Sequence, residues 1–335
     1  MTAGQSANGG SSPRLPRSEL LAGEMQPFAD LLASRVHQRE SQIVLGLDPD
    51  PCMLWPGVDE SWGRGPNDEY ADRAERIAFP VVQHCLMAID AVAEACVAVK
   101  LQLACFERLG LAGRIGLDEL ISHARRCGLL VIADGKRGDI DVSARAYAQA
   151  LFGGVETPFG HVQGLEADLA TVNPLMGKDA VAPFVTAARE SRAGVLALVR
   201  TSNPGASDVQ DLELSCGGTV WERLAGIVEE LGKQGVGKSG LSDVGAVVGA
   251  TAPAQLERAR ELMPHAVFLL PGVGAQGGRV EDLAPAFASG RAGGLVTASR
   301  SIVGAYLADG RGGSDPARAA RAEAERLRAL AWGLA

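Results

Sequence analysis

The densest chemical signal in the chain is the run Asp134-Gly135-Lys136-Arg137-Gly138-Asp139-Ile140, directly after the apolar stretch Leu129–Ala133. A short apolar run ahead of a glycine reads as a buried strand, and alternation along it sends Asp134 and Lys136 to the same side. Two further charges stand at the ends of apolar runs: Lys100 after Val97–Val99, and Asp48 in Leu45-Gly46-Leu47-Asp48-Pro49. Such charges are costly to bury unless paired, so they form either a structural ion-pair network or the polar rim of an active site.

Those residues need elements to position them. Beyond residue 42 one rhythm repeats: a β-branched or Leu-rich run, a loop of Gly, Pro, Asn or Asp, then an amphipathic stretch. It predicts strands at Ile43–Leu47, Val97–Gln102, Leu129–Ala133, Leu169–Val172, Val195–Val199, Val244–Gly249, Val267–Leu270 and Leu295–Ala298. Helical patterns fall at 72–95 (with Pro80 as a kink), 118–127 (closed by Gly128), 143–152, 178–191, 218–231, 253–262, 280–288 and 316–332. Leu31, Leu32 and Val36 suggest one more helix ahead of the first strand. Eight strands, each followed by a helix and most apolar on both faces, predict an α/β fold of the (β/α)8 TIM-barrel type in a single domain over 21–335. Residues 1–20, Gly- and Ser-rich and without an apolar signal core, read as a disordered tail. In a barrel, polar residues at the C-terminal ends of the strands face one shared site.

Two glycine motifs are tempting. Gly232-Lys233-Gln234-Gly235-Val236-Gly237-Lys238-Ser239 spells the nucleotide phosphate loop, but that loop must leave a strand and open a helix, and here a helix precedes and a strand follows. It reads as a connection. Gly272-Val273-Gly274-Ala275-Gln276-Gly277 spells the dinucleotide fingerprint after the seventh strand, yet residues 290–300 hold no acidic partner for a ribose. Loops after strands seven and eight are the phosphate site of many barrels, and Arg300 in Thr297-Ala298-Ser299-Arg300-Ser301 adds a phosphate-gripping cation, so the expectation is a phosphate group and no dinucleotide.

Composition narrows the field. With 47% hydrophobic and 21% charged residues, the 335-residue chain can build a large core. A net charge of −8 without a Lys/Arg run argues against nucleic acid, and no apolar run is long enough for a membrane span. Six scattered cysteines without a C-x-x-C pair read as buried thiols of a cytoplasmic protein. The five histidines show no ligand spacing, so no metal site is expected, and there is no G-x-S-x-G elbow.

The pattern D-x-K-x-x-D-I, with Lys100 upstream, Asn173-Pro174 after the fourth strand, Pro271-Gly272-Val273-Gly274 after the seventh and the late Ser299-Arg300, resembles the orotidine 5′-phosphate decarboxylases, most of all their longer bacterial branch. The resemblance spans roughly residues 40–305. It implies cofactor-independent decarboxylation of orotidine 5′-phosphate (OMP) to UMP in a homodimer with shared active sites. Lys100, Asp134 and Lys136 would form the charged array of one subunit, with Asp139 reaching into the neighbour's site. Asp48 and Lys100 would hold the ribose, and Gln276, Gly277 and Arg300 the phosphate. Thr201 or Ser202 would read the pyrimidine, with Asn173 lining the site. Ser143 would contact the ribose or phosphate from the partner, standing where a threonine is expected. Loops 201–217 and 272–279 would close over the substrate. The alternatives are a Mg²⁺-dependent sugar-phosphate decarboxylase or epimerase, a Schiff-base aldolase using Lys100 or Lys136, and a UMP-binding protein without activity.

Overall fold

A computed structural model describes residues 26–58, 71–251, 253–274, 276–307 and 315–335. The expected N-terminal tail, residues 1–20, lies outside the described residues. In chain order the main elements are α1 (Phe28–Arg39), β1 (Ile43–Leu47), α2 (Ala71–Val92), β2 (Ala98–Gln102), α3 (Leu103–Glu107), α4 (Gly110–Arg126) and β3 (Leu130–Arg137). There follow α5 (Asp141–Leu151), β4 (Gly154–Thr157), β5 (Gly160–Gln163), β6 (Leu169–Val172), α6 (Lys178–Glu190), β7 (Gly194–Arg200) and α7 (Val220–Gly232). The chain ends with β8 (Val244–Val248), α8 (Pro253–Leu262), β9 (Phe268–Leu270), β10 (Gly294–Ala298), α9 (Arg300–Val303) and α10 (Pro316–Leu334).

Eight parallel strands close in the order β1-β10-β9-β8-β7-β6-β3-β2, the barrel predicted from the rhythm. Side-chain parity sets its interior. Val44, Ala98, Ile132, Leu169, Leu196, Val247, Leu269 and Leu295 point inward and pack on one another and on Phe28, Leu31, Leu32 and Val36 of α1, which plugs the bottom. Gly194 gives Phe28 room, since a Cβ there would lie 2.7 Å from the Phe28 ring. Alternate residues such as Leu45, Val99, Val131 and Ala170 point outward into the layer shared with the helices. Two residues further up the same inward columns stand Lys100, Asp134, Thr171, Leu198 and Thr297. The interior therefore changes from aliphatic at the bottom to polar at the top.

The strands depart from expectation in one useful way. The charged run does not follow the third strand but continues it: β3 extends to Arg137, with a register shift against β6 between Ala133 and Arg137. Lys100 likewise lies inside β2, opposite Gly46, and the strand runs on to Gln102. Inside that bulge Lys136 has φ +47, a left-handed conformation that disfavours any residue but glycine.

The hairpin β4–β5, with Thr157-Pro158-Phe159-Gly160 at its turn, was not anticipated. Helix α4 begins eight residues earlier than its pattern suggested, and its glycines explain why. A Cβ on Gly113 would meet the Phe106 carbonyl at 2.0 Å and one on Gly116 would meet Val82 at 2.4 Å, so glycine at both positions permits close packing. The segment at 280–287 is helical in the tighter 3₁₀ form. Of the six cysteines, all free, only Cys85 and Cys96 are buried, which corrects the reading of all six as buried thiols. Among the described residues no helix is long and apolar enough to cross a membrane.

The phosphate-loop look-alike lies before β8, at the bottom of the barrel. Its backbone amides at Lys238 and Ser239 donate to the Asp30 carboxylate at 3.0 and 2.7 Å, and a Cβ on Gly237 would meet Asp30 Oδ1 at 2.4 Å. The nest is real, and the anion it holds is the chain's own.

Arg260 is a second structural device. Its buried guanidinium lies 3.8 Å above the Phe268 ring and donates to the carbonyls of Met263, Pro264, Ala266, Ala286 and Gly293, tying α8 to the segments flanking β10. Burial lowers its pKa to about 10, which still leaves it charged at neutral pH. Arg260→Met leaves those carbonyls without a donor and is expected to cost about 2–4 kcal/mol in a urea melt, with turnover per folded molecule unchanged.

Candidate active site

At the C-terminal mouth of the barrel lies a cavity of about 530 Å³ walled by Asp48, Lys100, Asp134, Lys136, Thr201, Ser202, Gln276 and Arg300. Eight of the residues singled out in the sequence thus converge on one space, together with Gln102, Thr171, Asn203, Gln210 and Thr297, which sequence reasoning missed. Parity was the available signal for three of these: Gln102 is two residues beyond Lys100, Thr171 two beyond Leu169, and Thr297 two beyond Leu295.

Asp134 is the hub. Lys136 Nζ and the Thr171 hydroxyl donate to its Oδ1 at 2.7 Å each, and Lys100 Nζ and Gln102 Nε2 donate to its Oδ2 at 2.8 and 3.3 Å. Lys100 also reaches Asp48 Oδ1 at 3.3 Å. The side chains of Asp134 and Lys100 are 6% and 7% exposed, whereas those of Lys136 and Asp48 are 45% and 41% exposed, so a buried pair anchors two charges that face the cavity. Burial would raise the pKa of Asp134, but Lys100 and Lys136 outweigh it and hold the carboxyl at about 2. For Lys100 burial is likewise outweighed, by Asp134 and Asp48, and its pKa is raised.

Thr171 couples backbone to side chain. Its hydroxyl accepts from the Lys136 amide at 2.9 Å while donating to Asp134 Oδ1, so one buried oxygen holds both the left-handed backbone of Lys136 and the carboxylate that orients the ammonium.

The opposite wall comes from the late loops. Gly272, Gly274 and Gly277 all have positive φ, and the amides of Gly274, Gly277 and Gly278 are spent on the loop's own turns. Gly277 does not line the cavity; it lies in the loop that presents Gln276. Arg300 starts α9, and Ser299 beside it sits over Gly46, where a Cβ would lie 1.8 Å from Ser299 Oγ. Trp55 joins the two sides of the mouth. Its indole donates to the Val303 carbonyl at 2.8 Å and its backbone amide donates to His84 Nδ1 at 3.1 Å. Burial lowers the His84 pKa to about 4, keeping that ring neutral and an acceptor.

After β7, Arg200 grips Asp211 through two bonds of 2.9 and 2.8 Å. The Thr201 hydroxyl donates to Asn203 and accepts from Gln210, which leaves the Ser202 hydroxyl, among the described residues, as the one of the pair without a partner in the chain. Asn173 is not in the cavity: its amide donates to Arg137 and its side chain caps Leu175, so it turns the chain out of β6. Asp139 and Ser143 do not line this cavity either.

Residues 41–311 match the family described as orotidine 5′-phosphate decarboxylase / HUMPS. The chain belongs to that family. Among curated orotidine 5′-phosphate decarboxylases, that of Rhodopirellula baltica is 41% identical over 84% of this chain and 90% of its own length. That of Deinococcus radiodurans is 41% identical over 82% and 88%. Among solved structures, Leishmania donovani OMP decarboxylase aligns with a TM-score of 0.65 at 29% identity, covering 91% of this chain and 99% of that one. The family match extends to within a few residues of the span inferred from the motifs, and these decarboxylases share the barrel described above.

Proposed function

We infer that this chain decarboxylates orotidine 5′-phosphate to UMP and CO₂, as a carboxy-lyase of pyrimidine biosynthesis working without a cofactor. The observation that carries the reading is the Lys100–Asp134–Lys136 array facing Gln276 and Arg300 across one cavity. Loss of CO₂ from C6 of the pyrimidine leaves a vinyl-type carbanion with no ring system to absorb it, so the protein must stabilise it by charge and then protonate it. Lys136 does both. A cation about 4 Å from the developing anion contributes roughly 4 kcal/mol at an effective dielectric near 20, about three decades of rate. The neutral C6 of the bound substrate gains little from the same charge, so the stabilisation is specific to the transition state.

Asp134 keeps the ammonium in place and lies near the substrate carboxylate. Asp48 and Lys100 take the ribose hydroxyls, Arg300 and Gln276 the phosphate, and Ser202 the pyrimidine edge. Lys100 already sits between Asp48 and Asp134 and pairs with both, so a divalent ion between those carboxylates would have to displace a buried ammonium. Purified chain supplied with OMP is expected to form UMP at a rate insensitive to EDTA, followed by pyrimidine absorbance; a folded chain without turnover, or turnover abolished by the chelator, contradicts the reading.

Thr171 is the positioning residue of this machinery. Thr171→Val keeps the shape and removes the hydroxyl, and is expected to lower kcat by about 10–100-fold with KM within a few-fold of wild type. Thr171→Ser restores most of kcat. A loss in Thr171→Ser with Thr171→Val near wild type would mean that packing, and not the hydroxyl, is what counts.

The site is completed by a second copy. Asp139 stands beside exposed apolar side chains, Ile140, Val142, Leu175 and Met176, on a face that suits a homodimer. In that dimer Asp139 and Ser143 enter the partner's cavity. Mixing Lys136→Ala with Asp139→Ala subunits is then expected to restore about a quarter of wild-type turnover, since half the dimers are hybrids and each hybrid has one intact site. No recovery on mixing would assign Asp139 elsewhere. The free thiols suit the reducing cytoplasm.

A further inference from the structure

Away from the cavity, three potential ligand atoms of different chemistry meet where α2 packs on α4. His123 Nε2 lies 2.6 Å from Asp90 Oδ1 and 3.7 Å from Cys127 Sγ, and the three ligand atoms all lie within 4.8 Å of one another. His123 and Cys127 are one helical turn apart at the C-terminal end of α4, and Asp90 projects from the last turn of α2. Reading histidine spacing alone overlooked this group, because one ligand is a thiol and another comes from a different helix.

We propose that Asp90, His123 and Cys127 form a peripheral site for a divalent transition metal of the Zn²⁺ class. The donor set carries the identity. One carboxylate oxygen, one imidazole nitrogen and one thiolate are the mixed ligands Zn²⁺ takes, whereas Mg²⁺ and Ca²⁺ prefer oxygen alone. Geometry agrees. With bonds of about 2.0 Å to oxygen and nitrogen and about 2.3 Å to sulfur, a tetrahedral ion needs N–O, N–S and O–S separations of about 3.3, 3.5 and 3.5 Å. The existing 3.7 Å N–S distance already fits, and the 2.6 Å N–O distance opens by under about 1 Å when the ion takes the Nε2 lone pair, the imidazole proton moving to Nδ1 and the Cys127 thiol proton leaving to solvent.

The helices that present these ligands are held close, since Gly116 of α4 lies directly against Val82 of α2. His123 is mostly covered while Asp90 is 62% exposed, so the fourth position is open to water. One neighbour opposes the ion: the exposed Arg126 donates to His123 Nδ1 at 3.4 Å, adding positive charge and holding the ring in the tautomer that protonates Nε2. The site lies at the ends of α2 and α4, just before β2 and β3, the strands that carry Lys100 and Asp134. A bound ion would therefore clip together the two helices leading into the catalytic strands, without touching the cavity.

The test uses the full-length chain without a histidine tag, stripped with chelator and titrated with Co²⁺ as a spectroscopic probe, then with Zn²⁺ in competition. The expected result is one equivalent of Co²⁺ bound with a near-ultraviolet thiolate-to-metal band and intense visible bands, displaced by Zn²⁺, with Zn²⁺ raising the melting temperature. Cys127→Ser and His123→Ala should each weaken binding at least about tenfold, and Arg126→Gln should tighten it. Absence of the thiolate band, unchanged affinity in Cys127→Ser, or no tightening in Arg126→Gln would overturn the assignment. Exposed Cys52 and Cys216 remain in every variant, so binding through either survives Cys127→Ser and is recognised by that result.

Discussion

Lys136→Ala is expected to lower kcat for orotidine 5′-phosphate by at least about three decades while UMP binding stays within a few-fold of wild type. Two separate parts of the cavity produce that split. The ammonium sits 2.7 Å from Asp134 and is half exposed to the cavity, where the proposed mechanism brings its charge to the reacting carbon. Gln276 and Arg300, the proposed phosphate partners, line the cavity from other loops and are untouched by the substitution. An interaction felt mainly in the transition state appears in kcat, whereas the phosphate grip is common to substrate and product and appears in binding. Stopped assays of turnover and calorimetric titration with UMP measure the two quantities independently. A variant that keeps wild-type kcat removes Lys136 from the mechanism, and one that loses UMP binding altogether makes it a ligand anchor.

The second large effect belongs to Asp134, on stability as well as rate. Asp134→Ala removes the carboxylate that accepts from Lys100, Lys136, Thr171 and Gln102 and strands the buried Lys100 ammonium with Asp48 alone. Leaving one member of a buried pair uncompensated costs about 3–5 kcal/mol, and turnover is expected to vanish because Lys136 loses its tether. The pH dependence has a definite sign. The folded pKa of about 2 lies below the ordinary value of 3.8, so the wild-type carboxylate contributes its stability above about pH 4 and loses it as pH falls through 2. That portion is roughly 2 kcal/mol. Lys100 works in the opposite direction: its raised pKa contributes below about 10.5, and that contribution fades as pH rises through the folded value. Urea melts of wild type and Asp134→Ala should therefore differ by a constant amount between pH 5 and 8, with the gap narrowing by roughly 2 kcal/mol as pH falls to 2. A gap that stays constant down to pH 2 would mean that Asp134 is not held ionised by its lysines.

How much of this was legible in the sequence depends on what each residue had to reveal. The barrel strands were readable because a parallel strand covered on both faces is a continuous apolar run, and the runs interrupted by charge, β2 and β3, marked the site for that reason. The charges that wall the cavity were readable because they stand at the tops of such runs. Thr171 and Gln102 were not, since a single neutral polar residue in a strand carries no signal until parity shows that it shares a column with Leu169 or Lys100. The family motif singled out Asn173 and Gly277 as well, and in the fold both hold local turns beside the cavity and do not line it. The phosphate-loop spelling at 232–239 failed for a physical reason as well: its amides do bind an anion, and that anion is Asp30.

The central claim is that Lys136 holds the proton that meets a carbanion at C6. Microscopic reversibility gives the most direct measurement, in which UMP is incubated with the enzyme in D₂O and its C6–H signal is followed by proton NMR. Wild type should wash deuterium into C6, because Lys136 in its amine form removes the proton and returns a deuteron from solvent. Lys136→Ala, still binding UMP, should leave that signal intact. Exchange at an undiminished rate in Lys136→Ala would contradict the account, because some other group would then be carrying the proton.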